Sequence, residues 1–155
     1  MKIVSVLEDK KVEKRISITP EIAKKYIAMG FDVSLSESYG EHLGFSDNEY
    51  KKLDVKISKD ENELIDSADV IVQLGLPSED KLNKLNSGQS IIGVLNPYNN
   101  KSILDNLIKK KINLFSLELL PRITRAQSMD ILSSQANLAG YKAVVESFAY
   151  FEKAI

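Results

Sequence analysis

The sequence predicts an α/β fold, a parallel β-sheet with helices on both faces (a flavodoxin- or Rossmann-like three-layer arrangement) that ends in a long helix. Two observations carry this prediction. Short apolar runs alternate with helical patterns along the chain, as repeated strand–helix units require. The strongest runs, VIVQL at 70–74 and SIIGVL at 90–95, are apolar almost without interruption, so both of their faces need cover, as in a parallel sheet. The chain is also long enough to fill a core: 155 residues, 43% of them hydrophobic.

Taken in order, residues 2–7 (KIVSVL) form a short β-rich apolar run and predict a buried strand. The charged residues 8–14 make a loop. Thr19-Pro20-Glu21 is a helix start, with Thr as N-cap, Pro at the first helical position and an acid in the first turn. Ile22, Ala23, Tyr26 and Ile27 form the apolar stripe of that helix, and Gly30 ends it. Residues 31–36 (FDVSLS) read as a strand, and 39–44 as a glycine-containing turn. Ser46 with Glu49 is a capping box that opens a short helix to about Leu53. A minimal strand at 55–57 and a helix at 60–67 precede the 70–74 strand. Ser78 caps a short helix to Leu85, the 90–95 strand follows, and 101–110 is a helix with Ile103, Leu104, Leu107 and Ile108 at helical spacing. Residues 112–117 are the last strand. From about Ser133 the pattern is helical to the end, with Leu138, Tyr141, Val144, Val145, Phe148 and Phe151 as its apolar residues. That helix needs something to pack on.

Composition closes off several functions. A net charge of −1 and a pI near 5.9 argue against a general nucleic-acid binder. The one run of three basic residues, 109–111, falls where a helix ends, and cations there complement the helix dipole on a solvated face. The absence of cysteine excludes disulfides, thiolate metal sites and a cysteine nucleophile. A single histidine, His42, makes a protein-only zinc site implausible, and in its glycine turn it reads as a surface-loop residue. There is no signal-peptide pattern, no apolar run of membrane-spanning length, no G-x-G-x-x-G and no P-loop.

One stretch differs in texture from the rest. Residues 121–144, PRITRAQSMDILSSQANLAGYKAV, hold Arg122 and Arg125, two of the three arginines in the chain, Arg15 being the third. Gln127, Asp130, Ser133, Ser134, Gln135 and Asn137 follow them. Arginine forks suit bidentate pairing in a way that lysine does not. Arg122 can pair with Asp130, and Gln127 stands three residues before Asp130, on one side of any helical turn. An amide, a carboxylate and hydroxyls on one surface would suit a polar planar group such as a carboxamide. They would equally suit a polar loop whose side chains satisfy local backbone groups. Ligands of parallel sheets bind beyond the carboxyl ends of the strands, which is where this segment, residues 75–77 and residues 96–98 are expected.

The same 24 residues closely resemble the signature segment of the α subunit of proton-translocating NAD(P) transhydrogenase. That subunit is the NAD(H)-binding component, domain I, and a relative of alanine dehydrogenase. The likeness extends over the chain: residues 14–21 (KRISITPE) are similar to the family's E-x-R-V-A-x-T-P stretch, and residues 45–47, 67–70 and 118–122 fall where the family has similar segments. The resemblance implies that Arg122, Gln127 and Asp130 form the loop at the nicotinamide end of NAD(H) and are the residues of the hydride-transfer site. It adds Arg125, Ser128, Ser133 near the carboxamide and Tyr141 at an inter-domain cleft as cofactor-binding residues, with no metal. It implies direct hydride transfer from NADH to NADP⁺ on a partner component, Re/Si-specific, with a membrane component coupling that transfer to proton movement.

Two departures qualify the resemblance. Alanine dehydrogenase holds and protonates its keto acid with a lysine and a histidine on these rim loops. Gly75 and Asn96 stand there in this chain, although Arg15 is retained. That favours transhydrogenase over an alanine-dehydrogenase-like enzyme, the rival reading. A non-catalytic module that kept the fold is the other rival. The second departure is length: residues 1–132 correspond to the family's N-terminal α/β domain and 133–155 to the start of its inter-domain hinge helix, and the glycine-rich Rossmann domain is not in this chain. The expected partners are that second domain, a second copy as homodimer, and the NADP(H)-binding β component with its membrane domain. The expected location is cytoplasmic, peripheral at the inner membrane when assembled, and the isolated chain is expected to be inactive.

Overall fold

The computed structural model describes residues 1–153, so the last two residues of the expected terminal helix, Ala154 and Ile155, lie outside the described residues. The chain forms two compact units, Met1–Ser116 and a second from Leu117 onward.

The first unit is the predicted parallel sheet. Its strands are β1 (Lys2–Ser5), β2 (Asp32–Ser36), β3 (Lys56–Ser58), β4 (Val70–Val72), β5 (Ser90–Gly93) and β6 (Asn113–Ser116). All pair in parallel, in the order β3-β2-β1-β4-β5-β6. The connecting helices are α1 (Pro20–Ala28), α2 (Asp47–Lys51), α3 (Glu61–Asp66), α4 (Glu79–Asn83) and α5 (Lys101–Lys109). Every strand and helix the sequence predicts for this unit is present, most a residue or two shorter at their ends.

Side-chain alternation splits the core in two. Ile3, Val33 and Leu35 pack with Ala23 of α1 and with Tyr39, Tyr50 and Val55. Val4, Ile71 and Ile91 pack with Leu64 and Ile65 of α3, Leu82 of α4, and Leu104 and Leu107 of α5. Ile3 and Val4 are neighbours in sequence and belong to different clusters, which is the two-faced burial that apolar strands demand.

Local chemistry sets the helix ends. Thr19 Oγ1 accepts from Ile22 N at 3.4 Å, and Gly30 follows α1 at φ +85, a conformation costly for any residue with a Cβ. Ser46 and Glu49 make the predicted capping box on α2. Ser78 occupies the cap position of α4 but its side chain makes no capping hydrogen bond. The turn at 39–44 contains a short 3₁₀ helix, Glu41–Leu43. His42 is exposed there and donates from Nε2 to the Lys14 carbonyl at 2.7 Å, in keeping with a surface-loop role.

In the second unit, 3₁₀ turns at Leu117–Leu119 and Thr124–Met129 lead to α6 (Ile131–Tyr150). The helix starts two residues before the expected Ser133 because Asp130 is an effective N-cap. No side chain of α6 is buried. Leu138, Tyr141, Val145 and Phe148, spaced by three, four and three residues, make an apolar stripe in which each is at least 44% exposed.

Candidate functional site

The segment between the two 3₁₀ turns and α6 builds a small site of its own. Pro121 and the extended Ile123 (φ −121, ψ 160) hold the chain open before Thr124, and Asp130 is extended again (φ −73, ψ 91) before α6 begins. Between them, i to i+3 spacing in the 3₁₀ turn eclipses side chains three apart. Gln127 and Asp130 therefore meet on one side, and Asp130 N donates to the Gln127 carbonyl at 3.3 Å.

A pocket of about 310 Å³ results, lined by Arg122, Ile123, Thr124, Ala126, Gln127 and Asp130. It contains all three residues expected at the hydride-transfer site. Asp130 is its fixed point: Oδ1 accepts from Ser133 N at 3.0 Å and Oδ2 accepts from Ser133 Oγ at 2.6 Å. Those two bonds, the side-chain one foremost, hold the Asp130 carboxyl below its ordinary value, and Arg122 lowers it further. The Arg122–Asp130 pairing is looser than expected, with Nε 3.9 Å from Oδ2 and the guanidinium largely exposed. A loosely held fork beside a fixed carboxylate leaves donors available to a ligand.

The remaining expected residues are placed differently. Ser133 sits at the pocket edge through its bonds to Asp130. Arg125 and Ser128 lie on the same 3₁₀ turn, exposed and outside the pocket lining. Tyr141 is two helical turns beyond Ser133, about 12 Å along α6 by helix rise, and is 73% exposed.

The first unit has a second concavity, which local sequence did not mark. Chain order reverses between β1 and β4, and a cleft of about 720 Å³ opens beyond their carboxyl ends. Gly75, Leu76, Pro77 and Asn96 line it, so these residues do reach the rim, together with Glu8, Asp9, Glu13, Glu61, Gln73 and Glu79. Lys81 is the one cationic residue in its lining, and its ammonium is engaged by Glu61 at 2.9 Å and the Leu7 carbonyl at 2.9 Å. Burial raises the Glu8 carboxyl above its ordinary value, against the lowering effect of the Leu74 and Gly75 amides. Glu61 and Lys81 read as exposed helix charges in sequence, because their shared partner, Leu7, is 54 and 74 residues away.

Known proteins place the chain. Residues 5–139 match the family described as alanine dehydrogenase/PNT, N-terminal domain. An NAD(P) transhydrogenase subunit alpha protein of Rickettsia prowazekii is 41% identical over 158 residues, covering 99% of this chain and 41% of that protein. The crystal structure of transhydrogenase from Sinorhizobium meliloti superposes with a TM-score of 0.89 at 36% identity, over 98% of this chain and 46% of the other. An alanine dehydrogenase of Halomonas elongata is more distant, 27% identical over 155 residues. The chain thus spans about two fifths of the length of these curated relatives, 41% of each.

Proposed function

The chain belongs to the alanine dehydrogenase/PNT N-terminal domain family, and we propose that it is the N-terminal half of the NAD(H)-binding component of a proton-translocating NAD(P) transhydrogenase. The observation that carries this reading is the joint lining of one pocket by Arg122, Gln127 and Asp130, with Asp130 locked by Ser133.

Those donors and acceptors fit a nicotinamide carboxamide. The Asp130 carboxylate accepts from the amide NH₂, and the Arg122 fork and Gln127 amide donate to its carbonyl. Bound NADH would supply the hydride. The side chains here hold and orient the ring and exchange no proton with it, because direct transfer between two nicotinamides depends on their alignment rather than on acid–base help. Arg125 and Ser128, on the outer side of the same turn, would contact the cofactor beyond the ring. Tyr141 would take its part once α6 is covered by a further domain. That second, glycine-rich domain would bring the pyrophosphate and adenosine contacts. A second copy of the component, the NADP(H)-binding β component and a membrane domain complete the proposed assembly. Its transfer would be Re/Si-specific. Among the described residues no helix is long and apolar enough to cross a membrane. The proposed position of this component is therefore peripheral, at the cytoplasmic face of the membrane that holds its partners.

The alanine-dehydrogenase reading is weaker on one specific ground. A keto acid's carboxylate needs a cation and its carbonyl a proton donor, and Gly75 and Asn96 supply neither. The cation in that cleft, Lys81, is committed to Glu61 and Leu7.

NADH-to-NADP⁺-analogue exchange by the full assembly tests the proposal. Arg122→Ala and Gln127→Ala should each lower turnover at least about tenfold, as expected when roughly 1.4 kcal/mol of ring positioning is lost. Unchanged turnover in both would overturn the site.

A further inference from the structure

Where β1 and β4 part at the reversal of strand order, side chains take over the backbone pairing. On the β4 side, Val6 N donates to Gln73 Oε1 at 3.0 Å and Leu74 N donates to Glu8 Oε1 at 2.6 Å. On the other side, Leu7 N donates to Glu61 Oε1 at 2.9 Å, while the Leu7 carbonyl accepts from Lys81 Nζ at 2.9 Å. Glu61 Oε2 and Lys81 Nζ are themselves 2.9 Å apart, which closes a ring through both peptide groups of Leu7. Ser36 Oγ, at the end of β2, donates to Glu61 Oε1 at 2.7 Å and fixes that carboxylate in place. Both side chains of the pair are only about a quarter exposed, 26% for Glu61 and 25% for Lys81. Burial pushes the Glu61 carboxyl up, but the bonds from Lys81, Ser36 and Leu7 outweigh it and hold it below its ordinary value.

We infer that Glu61 and Lys81 are a two-sided backbone clasp on Leu7, positioning residues that set where the wall of the cleft formed by residues 8–13 stands. The clasp reads backbone polarity and charge together: the carboxylate must face the N–H and the ammonium must face the carbonyl. It rests on the geometry of the first unit and is independent of the cofactor assignment.

Residue-resolved amide exchange on the whole chain tests it, with Ile71 and Ile91 as core references. Lys81→Met keeps the aliphatic stem and should raise exchange at Leu7 and across residues 8–13 at least tenfold, with the core references unchanged. Glu61→Gln keeps an acceptor for Leu7 N–H and should raise it less than Glu61→Ala does. The charge swap Glu61→Lys with Lys81→Glu restores an ion pair but turns a donor to the N–H and an acceptor to the carbonyl, so protection should stay lost. Wild-type protection in the swapped protein, or in Lys81→Met, would overturn the clasp.

Discussion

At the scale of single residues, the structure assigns roles that side-chain identity alone does not. Gly93 reads as an ordinary strand residue, yet a Cβ there would lie 2.4 Å from the Gln73 carbonyl oxygen. That neighbour is backbone and cannot swing aside, so Gly93→Ala should destabilise the chain by about 1–3 kcal/mol, read as a lower urea midpoint. Tyr39 reads as a turn residue and is a buried hub. Its hydroxyl lies 2.8 Å from Ser5 Oγ and 2.9 Å from Ser17 Oγ, and accepts from the Ser17 and Ile18 amides at 3.1 and 3.3 Å. Burial keeps that phenol protonated well past its ordinary value. Tyr39→Phe orphans several polar groups at once and should cost on the order of 1–3 kcal/mol in the same measurement.

At the scale of elements, the start of α6 ties the candidate site to a fold determinant. Asp130 is both a pocket residue and the N-cap whose side chain satisfies the first-turn amide of Ser133. Its carboxyl is lowered in the folded state from an ordinary 3.8, so its stabilising contribution is present above that pH and is lost as the pH falls through the lowered value. The helical signal of α6 in circular dichroism should therefore weaken on acidification through that range. Asp130→Ala should show the weakened signal already at neutral pH and no such step. The same substitution should impair hydride exchange in the full assembly, whereas Asp130→Asn, which retains an acceptor for Ser133 N, should recover more helix than activity. The expected helix start at Ser133 missed this detail because a cap depends on one φ/ψ change, and composition does not show where that change falls.

At the scale of the whole molecule, an apolar helix face without cover and a site with only ring-directed contacts argue the same way. The stripe of Leu138, Tyr141, Val145 and Phe148 is larger than scattered surface residues usually present, and such stripes are buried by partners. A protein spanning the relatives' full length should bind NADH at least about a hundredfold more tightly than the 155-residue chain, in parallel equilibrium titrations, because pyrophosphate recognition adds several kcal/mol at roughly 1.4 kcal/mol per decade. Equal affinities would sink the proposed division of the cofactor between two domains.

Sequence by itself determined the alternation of strands and helices, the parallel sheet with two buried faces, most helix caps and the membership carried by residues 121–144. These follow from periodicity, capping chemistry and a long specific motif, all of which act within a few residues. Tertiary structure alone decided which charges matter. Glu8, Glu61 and Lys81 sit in segments that look solvated, and they acquire roles only when the reversal between β1 and β4 brings residues 7, 61, 74 and 81 together. It also decided that Gln127 and Asp130 share a pocket while Arg125 and Ser128 face away. A 3₁₀ turn makes that choice, through a backbone geometry that residue types in an irregular segment leave open.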